Sequence, residues 1–268
     1  FKKDIDSVIR PALSVEVFHN FTLMHDDIMD EAPIRRGMPT VHEKWDSTVA
    51  ILSGDTMLVK VYDLLVGLEA DILKPGISAF NKTAIEVCEG QQIDMNFESM
   101  DHVTEDQYIE MIRLKTAVLL GFSLQFGGMM AKASTGDQDL LYRIGELMGI
   151  GFQLMDDLLD VFGDQEKFGK KVGGDIISNK KTFLLIKAIE LADKDQKGAL
   201  DSWLSKSTFD QDEKVKAVTS IYRELNIQEI TTLKMNSYFD QSIELMNELD
   251  VDTNALKQFA LQLMKRES

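Results

Sequence analysis

One cysteine, four prolines and two tryptophans in 268 residues leave this chain few means of stapling or interrupting itself. Cys88 has no second thiol to pair with, so an internal disulfide is excluded and a reducing, cytosolic setting is expected. Pro11, Pro33, Pro39 and Pro75 fall at the edges of periodic segments. No stretch alternates apolar and polar residues long enough for a half-buried strand. No apolar run reaches the roughly 18 residues of a bilayer span, and Phe1-Lys2-Lys3-Asp4 does not read as a signal peptide. The chain therefore reads as soluble and cytoplasmic, without stable membrane insertion. Positive charge is scarce as well: 29 Lys and Arg stand against 45 Asp and Glu, a net charge of −16. That balance argues against nucleic acid and against anionic membranes as partners. An anionic substrate would also be repelled, unless metal ions inverted the field locally.

What is present is helical periodicity. Tyr108, Met111, Ile112, Lys115 and Leu119 recur at three and four, and similar spacing predicts helices over 12–30, 41–51, 54–70 and 76–98. Thr104 and Gln107 form a capping-box start for a long helix to 132. Further helices are predicted over 137–162, 175–193, 195–205, 210–224, 227–248 and 252–266. Loops are expected through Pro33, Gly37 and Pro39, and through the Gly- and Lys-rich stretch after 162. With no linker or low-complexity segment, one all-α domain over 1–268 is the economical reading.

Two near-copies of an acidic signature stand about 130 residues apart, Leu23-Met24-His25-Asp26-Asp27-Ile28-Met29-Asp30 and Leu154-Met155-Asp156-Asp157-Leu158-Leu159-Asp160. On a helix, Asp26 and Asp30 share a face one turn apart, as do Asp156 and Asp160. Carboxylates at that spacing repel, so each pair costs helix stability unless a cation lies between them. Both are framed by Leu, Met and Ile, and both are followed by Gly and basic residues: Arg35-Arg36-Gly37 after the first, Gly163 and Lys170-Lys171-Val172-Gly173-Gly174-Asp175 after the second. A solvated helix face explains one such motif. Two in matching frames point to a phosphate–metal site, and oxygen-only donors select Mg²⁺ or Ca²⁺.

With Glu16–Asp30 and Arg35-Arg36-Gly37, the first motif resembles the first Asp-rich motif of the trans-isoprenyl diphosphate synthases (polyprenyl synthetases); Gly151–Asp160 resembles the second. Gly90-Gln91-Gln92-x-Asp94, Lys115-Thr116, Gly169-Lys170, Gly174-Asp175 and Lys180-Lys181-Thr182 resemble the intermediate motifs. The resemblance covers roughly 12–190. It implies an all-α isoprenoid-synthase bundle around a central cavity, a homodimer, and head-to-tail condensation of isopentenyl diphosphate with an allylic diphosphate. It also implies Mg²⁺, three ions once substrate is bound. Ionising the allylic C–O bond puts negative charge on the departing pyrophosphate, which Mg²⁺ neutralises. The pyrophosphate itself then serves as the base for the final proton.

By the same resemblance Asp26, Asp30 and Asp156 are direct metal ligands, and Asp27, Asp157 and Asp160 hold metal-bound water or orient the others. Lys115, Lys170 and Lys180, with help from Arg35, contact the allylic diphosphate. Arg36 grips isopentenyl diphosphate, for which a guanidinium fork is suited. Thr116 and Gln153 offer dipoles to the developing carbocation. His19 and His25 read as packing residues, while Gln91, Gln92 and Asp94 fit support or packing. Of the family's Gly-Lys-x-x-Arg-Pro element only Ile9-Arg10-Pro11 is present, so Arg10 is the one isopentenyl diphosphate contact assigned from it.

Product length is expected to depend on the pocket floor. Five residues of helix put Phe21 about 7.5 Å below Asp26, with Thr22 one turn below it. An aromatic there resembles synthases of short-chain, C20 or C15, products. Longer-chain synthesis and a non-catalytic subunit of a heteromeric synthase are the rivals; such subunits tend to lose one Asp motif, and both are kept here. A class I terpene cyclase is disfavoured by Asp156-Asp157-x-x-Asp160, where cyclases use Asn, Ser and Glu. A di-iron bundle needs two Glu-x-x-His pairs, and only Glu16-x-x-His19 is found.

Overall fold

The three-and-four spacing is realised as helix almost throughout. The computed structural model describes residues 6–163 and 172–264. In chain order the first helices are α1 (Ile9–Met29), α2 (Val41–Lys44), α3 (Ser47–Leu65), α4 (Ala70–Glu98), α5 (Glu105–Ile112), α6 (Val118–Met130) and α7 (Thr135–Phe162). They are followed by α8 (Gly174–Ile177), α9 (Phe183–Leu191), α10 (Lys194–Ser205), α11 (Gln211–Glu224), α12 (Ile227–Met246) and α13 (Asn254–Met264). The all-α expectation is met. Between α1 and α2, β1 (Ile34–Arg35) and β2 (Met38–Pro39) pair antiparallel, with Arg35 opposite Met38. This hairpin replaces the expected loop, and strands of two residues are too short to show a period.

The chain divides into two compact units, Phe1–Glu86 with Val118–Gly145, and Val87–Ala117 with Glu146–Ser268. In the first, α1 packs along α3 over a run of buried rings. Phe18 meets Phe80 edge-on at 5.1 Å, and Phe122 stacks on Phe126 at 5.0 Å. Each ring contributes about 1.5–3 kcal/mol through its buried area. In the second, Val161, Ile176, Leu184, Leu200, Val218, Ile221 and Ile227 form one core with Tyr222.

Several boundaries move for local reasons. Pro11 lies in the first turn of α1, where its missing N–H costs nothing, so the helix begins before it. Pro75 lies inside α4, which starts at Ala70 rather than 76 and forfeits one ladder bond. Asp46 caps α3 by accepting from the Val49 N–H at 2.8 Å, which shifts the expected break near 52 back to 46. Thr182 likewise caps α9, splitting the helix expected over 175–193. The capping box at Thr104 and Gln107 forms as expected. The helix it starts does not run unbroken to 132, because Arg113–Ala117 is a π-turn. There Gly90 and Gly149 press against its backbone: a Cβ at Gly90 would sit 2.3 Å from the Lys115 nitrogen, and one at Gly149 2.5 Å from the Ala117 Cα. The extra residue of the turn re-aims Lys115 and Thr116.

Candidate functional site

In the first unit, Asp26, Asp27 and Asp30 crowd the C-terminal end of α1, with Asp30 as its cap. This is the electronegative end of the helix dipole, so three carboxylates there are held against both dipole and mutual repulsion. The short hairpin supplies the answering charge. Arg36 and Gly37 both have positive φ, 52° and 75°, which makes the tight turn that suits the twist of a two-residue hairpin. A side chain at such a φ costs about 1 kcal/mol. The turn carries Arg35 back onto α1, where its Nε and Nη2 both lie 2.7 Å from Asp27 Oδ1 and Nη2 lies 3.5 Å from Asp26 Oδ2. Asp27 is buried, whereas Asp26 is half-buried and Asp30 exposed. Arg36 is exposed. Burial chiefly, then Arg36 and Arg35 against the opposing Glu16, holds the His19 imidazole below its ordinary range. His19 thus feels the charge of both arginines, although its sequence context suggests packing alone.

Arg10 is not brought to this place. Sixteen residues of unbroken α1 put it about 24 Å from Asp26, where it donates from Nη2 to the Asp63 carbonyl at 3.3 Å and lies over Gly67. The expectation that Arg10 joins Arg36 on one diphosphate needs a chain break before Pro11 that the helix does not make. Phe21, one aromatic turn below the acidic end, is buried against Phe18 at 5.6 Å and His25 at 4.7 Å. Thr22 donates to the His19 carbonyl at 2.8 Å. His25 reaches the Ile51 carbonyl at 3.2 Å across Gly54, where a Cβ would come within 2.3 Å of the ring.

In the second unit, Asp156, Asp157 and Asp160 occupy the last two turns of α7. Asp157 is buried and accepts from the Tyr108 hydroxyl at 2.5 Å and from Gln153 Nε2 at 3.2 Å. Gln153 in turn accepts from Thr116 Oγ1 at 3.1 Å, so the two dipoles assigned to the carbocation are locked into one chain with Asp157. Lys115 donates to Asp94 Oδ2 at 2.6 Å. Asp160 accepts from the backbone N–H of Asp175 at 3.0 Å, and from that of Gly174. Burial, and secondly the charge of Asp175, raises Asp157 to about 7 and Asp160 to about 6, with Lys180 working the other way on both. Lys170 lies outside the described residues. Tyr108 is a feature of the site that sequence reasoning misses, and Asp175, which falls in an intermediate motif, carries a charge effect that its motif alone does not assign. The available signal for Tyr108 is its place seven residues before Lys115 on the same face.

Each motif therefore has one buried Asp fixed by protein donors and others nearer the surface. Among the described residues no group of three or more His, Cys, Asp or Glu is arranged to hold a metal ion unaided. The carboxylate oxygens of the two motifs are donors of the hard kind that Mg²⁺ takes, a few at a time, with waters and phosphate completing its shell. The raised proton affinity of Asp157 and Asp160 marks a negative field short of cation. It also sets a pH dependence. Between pH 4 and 7 the folded chain holds protons that the unfolded chain has released, so stability falls as pH rises through that window. We expect the metal-free melting temperature to drop from pH 5 to pH 8, and Mg²⁺ with pyrophosphate to raise it more at pH 8 than at pH 5. Melting curves at the two pH values test this; a flat profile would contradict it.

The polyprenyl synthetase family model matches residues 1–222. A geranylgeranyl diphosphate synthase of Saccharolobus solfataricus is 37% identical over 273 residues, covering 98% of this chain and 82% of that protein. A crystal structure of a geranylgeranyl pyrophosphate synthase is 43% identical with a TM-score of 0.93, over 98% of this chain and 82% of that one. Another, from Corynebacterium glutamicum in complex with isoprenyl diphosphate and magnesium, is 30% identical with a TM-score of 0.89, over 98% and 80%. Fold and likeness define an all-α chain of prenyl synthase architecture. The chain belongs to the polyprenyl synthetase family, as its paired Asp-rich motifs led us to expect.

Proposed function

We propose that this chain is a Mg²⁺-dependent prenyltransferase that condenses isopentenyl diphosphate head-to-tail with an allylic diphosphate, giving a short-chain trans-prenyl diphosphate and pyrophosphate. The observation that carries this is the repeated helix end, with carboxylates collected at the wrong pole of the dipole and one buried Asp of each set held by Arg35 or by Tyr108 and Gln153. The similarity to geranylgeranyl diphosphate synthases, one of them bound to magnesium and isoprenyl diphosphate, supports the substrate class.

In this reading Asp26, Asp30 and Asp156 bind Mg²⁺, with Asp27, Asp157 and Asp160 orienting the ligands and their water. Mg²⁺ neutralises charge gathering on the leaving pyrophosphate. Lys115, Lys180 and Lys170 approach the allylic diphosphate, and Arg35 holds Asp26 and Asp27 in place. Arg36 binds isopentenyl diphosphate. Thr116 and Gln153 present oriented dipoles to the cationic allyl fragment. Incubation with Mg²⁺, isopentenyl diphosphate and dimethylallyl, geranyl or farnesyl diphosphate, followed by product sizing, tests the assignment. Metal-dependent elongation to C15 or C20 is expected.

Phe21 is assigned the floor of the product pocket. Phe21→Ala is expected to shift product to longer chains at similar turnover, because Phe18 is the next ring along α1. An unchanged spectrum on chromatographic sizing removes Phe21 from that role.

A homodimer is the proposed assembly. Leu52, Val59 and Val66, at seven-residue spacing, are 60%, 63% and 66% exposed along α3 and its cap, an apolar stripe for a second copy to cover. No helix among the described residues is long and apolar enough to cross a membrane, in keeping with a proposed cytoplasmic location. Failure of the chain alone to elongate any starter would select the rival reading, a non-catalytic subunit of a heteromeric prenyl synthase.

A further inference from the structure

Lys214 on α11 is fully buried, yet among the described residues no carboxylate lies within ion-pair distance of it. Burying an ammonium is costly unless its donors are satisfied. Its Nζ donates to the Ile177 carbonyl at 3.1 Å and to Asn179 Oδ1 at 2.5 Å, and lies 4.2 Å from the centre of the Phe209 ring. Ile177 is the last residue of α8, and Asn179 stands just beyond it in the left-handed region, at φ 58°. The other end of α8 rests on the same helix. Gly173 meets Val215 so closely that a Cβ would lie 2.7 Å from both its methyls. α11 therefore clasps this four-residue helix at both ends.

What α8 does with its fixed position is visible on its front. The Asp175 N–H holds Asp160 Oδ2 at 3.0 Å, the Gly174 N–H holds the same carboxylate, and the Gly173 N–H reaches the Asp160 carbonyl at 2.6 Å. Lys180, next after Asn179, donates its backbone N–H to the Asp175 carbonyl at 2.9 Å, and its charge is felt by Asp157 and Asp160. We propose that Lys214 is a positioning residue for the second acidic motif: by gripping Ile177 and Asn179 it fixes α8, and so aims Asp160 and Lys180 at the metal–diphosphate group. The inference rests on the metal-binding reading of that motif.

The test compares wild type with Lys214→Met in two assays. In the metal-free chain, hydrogen exchange at the amides of 173–180 is expected to be faster in the variant. With Mg²⁺ and inorganic pyrophosphate as the probe, the Mg²⁺ concentration giving half of the thermal shift is expected to rise about 10–100-fold, the usual cost of a lost outer partner at a metal site. The kcat/KM for allylic diphosphate should fall by a similar factor, with the KM for isopentenyl diphosphate little changed. Unaltered exchange and Mg²⁺ response in a folded variant overturn the proposal, as does an equal loss for both substrates. Should Lys214→Met fail to fold, Asn179→Gly keeps the left-handed backbone while removing the acceptor, and it must weaken the Mg²⁺ response in the same direction. A wild-type chain that responds to Mg²⁺ and pyrophosphate but elongates nothing refutes the synthase reading alone; one that gives no response refutes the role of Lys214 too.

Discussion

Asp26→Asn is expected to remove most turnover while leaving the metal-free fold at least as stable as before. The side chain keeps its size and one acceptor but loses the charge that would bind Mg²⁺. Removing a preorganised electrostatic group of this kind lowers kcat by about 10²–10³. Stability responds in the opposite sense. Asp26 lies in the last turn of α1, four residues before Asp30, so neutralising it relieves dipole and like-charge terms of about 0.3–1 kcal/mol each. Its ion pair with Arg35 is a long one, at 3.5 Å, and Arg35 keeps both 2.7 Å bonds to Asp27 in the variant. Turnover at saturating Mg²⁺ and the denaturant midpoint without metal check the two halves together. A midpoint that fell along with activity would make Asp26 a folding residue.

Lys115→Met carries the second large effect, and here stability and activity separate through a partner. Lys115 sits in the π-turn and donates to Asp94 at 2.6 Å, both side chains being mostly buried. Its loss strands the Asp94 carboxylate, a penalty of about 1–3 kcal/mol. Adding Asp94→Asn to Lys115→Met should recover most of that stability. It should recover none of the activity, because the ammonium is assigned to the allylic diphosphate and supplies about 10²–10³ of the rate. Denaturation and kcat/KM for the allylic substrate, measured on both single variants and the double, decide the point. Restored activity in the double variant would make Lys115 a structural counter-ion only.

The helical fold and the acidic motifs are legible in the sequence because each is a local pattern. Leu, Met and Ile at helical spacing set the buried faces, and Asp at i and i+4 falls on one side of whatever helix carries it. The π-turn at Arg113–Ala117 is not legible: it lies where Gly90 and Gly149, residues distant in sequence, approach its backbone closely, and neither shows anything of its partner. Tyr108 reads as one more apolar position until Asp157 is found beneath its hydroxyl. The paired β1 and β2 strands escape for a different reason, since two residues each are too few to alternate. Arg10 is misplaced if Pro11 is treated as a boundary, because proline is tolerated in a first turn. Lys214 looks like any charge on an amphipathic helix, because its burial against Ile177 and Asn179 is a property of the folded interior.

We propose that the two acidic motifs act together in one metal-dependent step. A double-mutant cycle on Mg²⁺-dependent elongation, with Asp26→Asn and Asp156→Asn singly and together, tests it most directly. Groups that act as a unit are strongly non-additive, so the double variant is expected to be little slower than the worse single one. Losses in kcat/KM that multiply would mean that the motifs act independently, and would contradict the claim.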